Sequence, residues 1–198
     1  MKQKINIRII VLVGITFLVG FFRILQTTGH TPMSNFTPIG AMALFGGSYF
    51  LQNSRAYLFP LLTLFISDIV LMQTVYDGYG NGFLYEGWLW TYVAFGLMVF
   101  LGRNIIRKIN VKNILLGGFL AGLAHFIIVD FGVWLGGGLD VTTGLPYTRD
   151  AAGLLKCYTL AIPFFKNMLA GNLIYGAILF GGYELAQLRF PVLRPAGL

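Results

Sequence analysis

Four ionisable side chains, Arg23, Asp68, Asp130 and Lys166, fall inside stretches that are otherwise oily. A charge in hydrocarbon is expensive, so such residues pair with one another, line a water-filled cavity or mark a substrate path. In AIPFFKNMLA, Lys166 and Asn167 follow Pro163 by about one helical turn. A proline there loosens the helix and frees a backbone carbonyl. Counted from the ends of their stretches at about 1.5 Å per residue, Asp68, Asp130 and Lys166 lie at one depth, roughly 8–10 Å in. Arg23 lies nearer the mouth. The expectation is a shared polar cavity in which Lys166 pairs with Asp68, Asp130 or both, with Ser67, Asn167 and Asn172 as neutral hydrogen-bonding groups.

The connections at the same end of these stretches carry matching chemistry. His30, Asn35 and Thr37 lie in the first, Tyr76, Tyr79, Tyr85 and Trp88 in the second, and Trp134, Tyr147, Arg149 and Tyr158 in the third. The candidate binding set is His30, Asn35, Asp68, Tyr85, Asp130, Trp134, Arg149, Tyr158, Lys166 and Asn167. Each aromatic also has a simpler explanation, since Trp and Tyr collect at membrane interfaces. His125 reads as a hydrogen-bonded packing residue. Cys157, the single cysteine, permits no intramolecular disulfide and suggests an inert thiol. No metal or cofactor is expected. The P-loop, HExxH and GxSxG patterns are absent. Asp68 and Asp130 lack the glycine-aspartate context of an intramembrane aspartyl protease, so an enzyme is the weakest reading.

The elements that must position these residues follow from composition. Of 198 residues, 57% are hydrophobic and 11% charged, against about 25% charged in soluble domains. Several apolar runs approach the roughly 20 residues that cross a bilayer. They are continuous rather than alternating, which excludes a β-barrel. The expectation is an all-α, polytopic membrane protein forming one integral domain over 1–198. Six transmembrane helices are drawn, at 8–26, 38–53, 57–73, 88–103, 114–136 and 159–184. The short apolar run after Met1-Lys-Gln-Lys reads as a retained first span. Small residues in GAMALFGG, and Gly118 with Gly122, predict close helix packing.

Orientation follows from Lys and Arg in the connections. Lys2, Lys4, Arg8, Arg55, Arg103, Arg107, Lys108, Lys112, Arg189 and Arg194 lie on one side, whereas Arg149 and Lys156 lie on the other. Both termini are therefore expected in the cytoplasm of a bacterium, in a multi-pass protein of its inner membrane. The net charge of +7 is a topology signal and not a nucleic-acid footprint. The outer connections are long and rich in Gly, Thr and Tyr, which makes that face the working one.

NFTPIGAMALFGG, LLTLFISD, FGVWLGG and GLLKCYTLAIPFFKNMLAGNLIYG together resemble an uncharacterised family of small bacterial membrane proteins. That family is similar to the substrate-binding S components of energy-coupling factor (ECF) vitamin transporters. The resemblance runs from about residue 20 to residue 183. It implies an ECF S-component-like bundle of six helices with an outward-facing pocket. The loop after the first helix and the long loop before the sixth, which carry Asn35 and Arg149, would cap it. The implied ligand is a water-soluble vitamin or cofactor precursor, with a cobalamin-like solute among the candidates. His30, Asp68, Tyr85 and Arg149 fall where solitary cobalamin transporters use such side chains. The implied partner is a transmembrane and ATPase energising module. S components that dock on one often carry Ala-x-x-x-Ala on the first helix, whereas this helix has Gly14 and Gly20, so solitary action is equally open. A scaffold whose buried charges only lock helices is the alternative.

Overall fold

The computed structural model describes residues 6–28, 35–77 and 83–195. Its regular structure is helical: α1 (Ile7–Thr28), α2 (Ile39–Tyr49), α3 (Asn53–Thr74), α4 (Trp88–Ile105), α5 (Val111–Leu135) and α6 (Ala151–Arg189), followed by a 3-10 turn at Pro191–Leu193. Three helices, α1, α3 and α5, are long and apolar enough to cross a membrane. The protein is thus an all-α bundle of membrane type. Much of the surface of α1 and α5 is apolar, with Leu18, Phe21 and Leu116 among the exposed side chains.

Three elements depart from the expected boundaries by four residues or more, and one of them is α3, drawn from 57 but starting at Asn53. The second was drawn at 38–53, but α2 stops at Tyr49 because Phe50 turns to extended backbone. All of α2 except Ser48 is buried, as its run of small residues allows. The sixth was drawn from 159, but α6 starts at Ala151. There the Asp150 carboxylate accepts a 2.7 Å bond from the Gly153 amide, and an aspartate in this role nucleates a helix end. The stretch AAGLLKCY is therefore helix and not loop.

Helix directions follow from paired contacts. A Cβ on Gly20 would overlap the Thr63 methyl, and Arg23 reaches Ser67, so α1 and α3 run parallel at a constant offset. Phe95 meets His125 and Trp90 meets Phe131, which sets α4 antiparallel to α5. Asp130 with Cys157 and Gly118 with Asn172 set α5 antiparallel to α6. Glycine makes the tightest crossing. A Cβ on Gly47 would overlap the Val99 carbonyl oxygen, and one on Gly102 that of Leu44, so α2 and α4 meet backbone to backbone. Beside this crossing Phe45, Tyr49, Phe180 and Tyr183 stack edge to face or tilted, with ring centroids 4.6–5.6 Å apart. Aromatic pairs favour such offset arrangements.

Candidate functional site

The parallel packing of α1 on α3 places Arg23 against Asp68. Arg23 Nη2 lies 2.6 Å from Asp68 Oδ1, and the carboxylate is almost wholly buried at 1% exposure. Arg23 Nη1 donates to Ser67 Oγ, whose own hydroxyl donates 2.8 Å to the Leu64 carbonyl. From α4, Tyr92 OH donates to Asp68 Oδ2 at 2.9 Å. A buried carboxylate needs several hydrogen bonds besides its counter-charge, and Asp68 has them. Burial pushes the nearby Tyr85 phenol up to about 12, and the Asp68 charge adds to the shift.

Arg23 also faces a cavity of about 640 Å³. The walls come from every helix around it. Arg23, Gln26 and Thr27 descend from α1, Asn35 and Thr37 precede α2, and Tyr85 and Thr91 flank the start of α4. His125 and Val129 line it from α5, Met168 from α6, with Phe36, Ile39, Leu64 and Phe95 as apolar wall. The set contains no Asp or Glu. Asp68 stands behind Arg23, so an occupant meets the guanidinium and not the carboxylate. Gln26 Nε2 donates 2.7 Å to Tyr175 OH, while its Oε1 is buried with no hydrogen-bond partner. Asn35 holds the left-handed conformation at φ 66°, which asparagine tolerates better than most residues.

The expected pairing of Lys166 is overturned. Lys166 is exposed on α6, and Asp68 is taken by Arg23. Equal depth does not decide pairing; rotation about the helix axis does, and Lys166 points away from the bundle. Asp130 is half-buried beside Cys157, whose Sγ lies 3.4 Å from the Asp130 carbonyl oxygen. Its carboxylate has no ion pair among the described residues. Of the ten candidates, Asn35 and Tyr85 line the cavity and Asp68 braces it from behind. Asp130, Trp134, Arg149, Tyr158, Lys166 and Asn167 lie outside its walls. Trp134 Nε1 donates 2.9 Å to the Thr148 carbonyl and Tyr158 OH 2.8 Å to that of Ile127, so both serve the α5–α6 seam. His30 lies outside the described residues, as does Tyr79. The long connection before α6, expected to cap the pocket, contributes no wall residue.

Sequence reasoning underused Arg23 and missed Gln26, Thr91 and Tyr92. Gln26 and Thr27 follow Arg23 by one helical turn, a polar stripe on an oily helix that could have marked the face. His125, read as hydrogen-bonded packing, lies edge-on to Phe95 with centroids 5.8 Å apart and opens on the cavity. The cavity thus gathers several hydrogen-bonding side chains around one cation whose carboxylate partner stands outside the walls. Among the described residues no group of three or more His, Cys, Asp or Glu converges as a metal site requires.

The model of a family described as a family of unknown function, DUF6580, matches residues 3–193. The chain belongs to DUF6580. No curated protein and no solved structure matches it. In this DUF6580 chain two further polar clusters hold the ends of the bundle. Before α6, Lys156 pairs with Asp140, and Thr142 donates to Asp140 Oδ1 through its amide (2.8 Å) and hydroxyl (2.7 Å). Lys156 and Thr142 hold the Asp140 carboxyl well below the usual carboxylate range. At the opposite end Arg8 donates 2.6 Å to the Tyr49 carbonyl, and Tyr49 OH donates to Glu184. These contacts lock helix ends and face no cavity wall.

Proposed function

We propose that this DUF6580 chain is a six-span, S-component-like membrane protein that captures a small polar solute at the cavity and takes part in its uptake. The observation that carries the reading is a 640 Å³ void lined by donors instead of being filled by side chains. Ligand sites run to roughly 300–1,000 Å³, and a scaffold that only locks helices has no use for one. The size suits a vitamin or cofactor precursor. With Arg23 at the wall and no acidic lining, the cavity favours neutral or anionic solutes over cations.

Parallel α1 and α3 need a return of the chain between them, which supports α2 and its flanks as a further crossing, and α4 and α6 serve α3 and α5 alike. The Lys/Arg asymmetry supports an orientation with the cavity on the outer face of a bacterial inner membrane and both termini inside. Uptake would proceed alone or with an ATP-driven partner. Gly14, open to its surroundings on α1, leaves room for such a partner.

The test is mass spectrometry of solutes released from gently purified, then denatured protein. One small molecule should appear at a stoichiometric level, and Thr91→Trp, which fills the cavity, should abolish it. Identical solute content in both proteins would favour the scaffold.

A further inference from the structure

The other end of the bundle holds a second, smaller void of about 340 Å³, walled by Gly47, Ser48, Leu51, Arg103, Asn104 and Arg107 among others. Its shape comes from the glycine crossing of α2 and α4, which brings the α2–α3 turn against the last turn of α4. Ser48 Oγ seals that crossing with bonds of 2.8 Å to the Leu44 carbonyl and 3.0 Å to that of Gly102. Arg103 Nη1 and Nη2 donate to the Phe50 and Leu51 carbonyls at 2.9 and 2.8 Å. These bonds fix the guanidinium in place, and its charge has no counter-ion among the described residues. Arg107, one turn further on, has a 3.3 Å bond to Asn104 Oδ1 and no ion pair among the described residues.

No carboxylate among the described residues pairs with these charges. Among them Glu184 is the acid nearest this end in the fold, and it is held by Tyr49 and Gln187. Lys108 in the following connection and Lys112 in the first turn of α5 add positive charge. Two guanidinium groups at one cleft match the planar, bidentate geometry with which arginine binds phosphate. Clefts of this kind between membrane helices, on the side rich in Lys and Arg, take anionic headgroups. A topology signal alone would need only charge on this side; it would not need a fixed arginine in a void.

We propose that the cleft between the α2–α3 turn and the end of α4 binds a phosphate-bearing anion, with the headgroup of an anionic phospholipid as its source in the membrane. Arg107 contacts the phosphate, and Arg103 presents its charge from the cleft wall. This site is independent of the solute cavity.

The experiment measures thermal unfolding of the full-length protein in a neutral detergent, titrated with phosphatidylglycerol, phosphatidylcholine or inorganic phosphate. Phosphatidylglycerol should raise the midpoint, with phosphatidylcholine far weaker. Arg107→Gln should raise the half-saturating phosphatidylglycerol concentration roughly tenfold, as loss of one charged hydrogen-bonding partner does. Lys112→Gln, which removes the same charge outside the cleft, should change it less than twofold. Equal effects of the two lipids, or of the two substitutions, would overturn the site. If millimolar inorganic phosphate reproduces the full shift and its loss in Arg107→Gln, the cleft stands and its source is the free anion.

Discussion

The two ends of this bundle are built from the same six helices and close in opposite ways. Where α2 crosses α4, glycines bring backbone onto backbone and four aromatic rings pack beside the crossing. Toward the other end α1 and α3 still touch through Gly20 and Thr63, but Arg23 and Gln26 face 640 Å³ of space walled by all six helices, with Ser67 and Asp68 behind Arg23. Apolar and small side chains close a seam because contact is favourable at every atom. Polar side chains hold one open, because each would need a partner on closure, and an unpartnered buried polar group costs about 1–3 kcal/mol. Ser67 and Asp68 have their partners, whereas Gln26 Oε1 has none.

That contrast predicts a ranking of substitutions, read by thermal unfolding in detergent. The largest effect belongs to the open end. Arg23→Met strands the Asp68 carboxylate and should cost about 3–5 kcal/mol; adding Asp68→Asn should restore much of it. A double variant no better than the single one would mean that the pair does not brace the cavity. Next comes the closed end, where Gly47→Ala should cost about 1–3 kcal/mol through overpacking. Gly96→Ala, on the partner helix α4 with open space around it, should be neutral or stabilising, so equal losses at both would refute the backbone crossing.

A smaller effect is expected at the start of α5, where Asn110 Oδ1 accepts 2.8 Å from the Asn113 amide. Asn110→Ala removes this cap and should cost about 1 kcal/mol. Smallest of all is Lys166→Met. An exposed lysine with no ion pair among the described residues should change stability by less than about 0.5 kcal/mol, and a loss of several kcal/mol would restore it to the interior.

The membrane class and the location of the helices were legible because apolar runs signal themselves over whole segments. The dense packing of GAMALFGG was legible too, since a run of small residues has few other uses. The partner of Asp68 was not. Residue counting gives depth along a helix, while pairing depends on which way each helix is turned, and that is set by contacts such as Gly20 on Thr63. His125, read as a hydrogen-bonded packing residue, packs on Phe95 and also lines the cavity; the second role depends on what stands across from the ring, which spacing does not show. The start of α6 was hidden because AAGLLKCY has no long apolar run, and its helix rests on one aspartate cap.

The solute cavity has a consequence in hydration. At about 30 Å³ per water molecule, 640 Å³ has room for about 20 of them, and its ring of donors will keep it wet. Any occupant must return that water to the bulk. Its affinity then depends on water activity: an osmolyte too large to enter the void tightens binding, while the cleft at the opposite end, with about half the volume, responds about half as strongly.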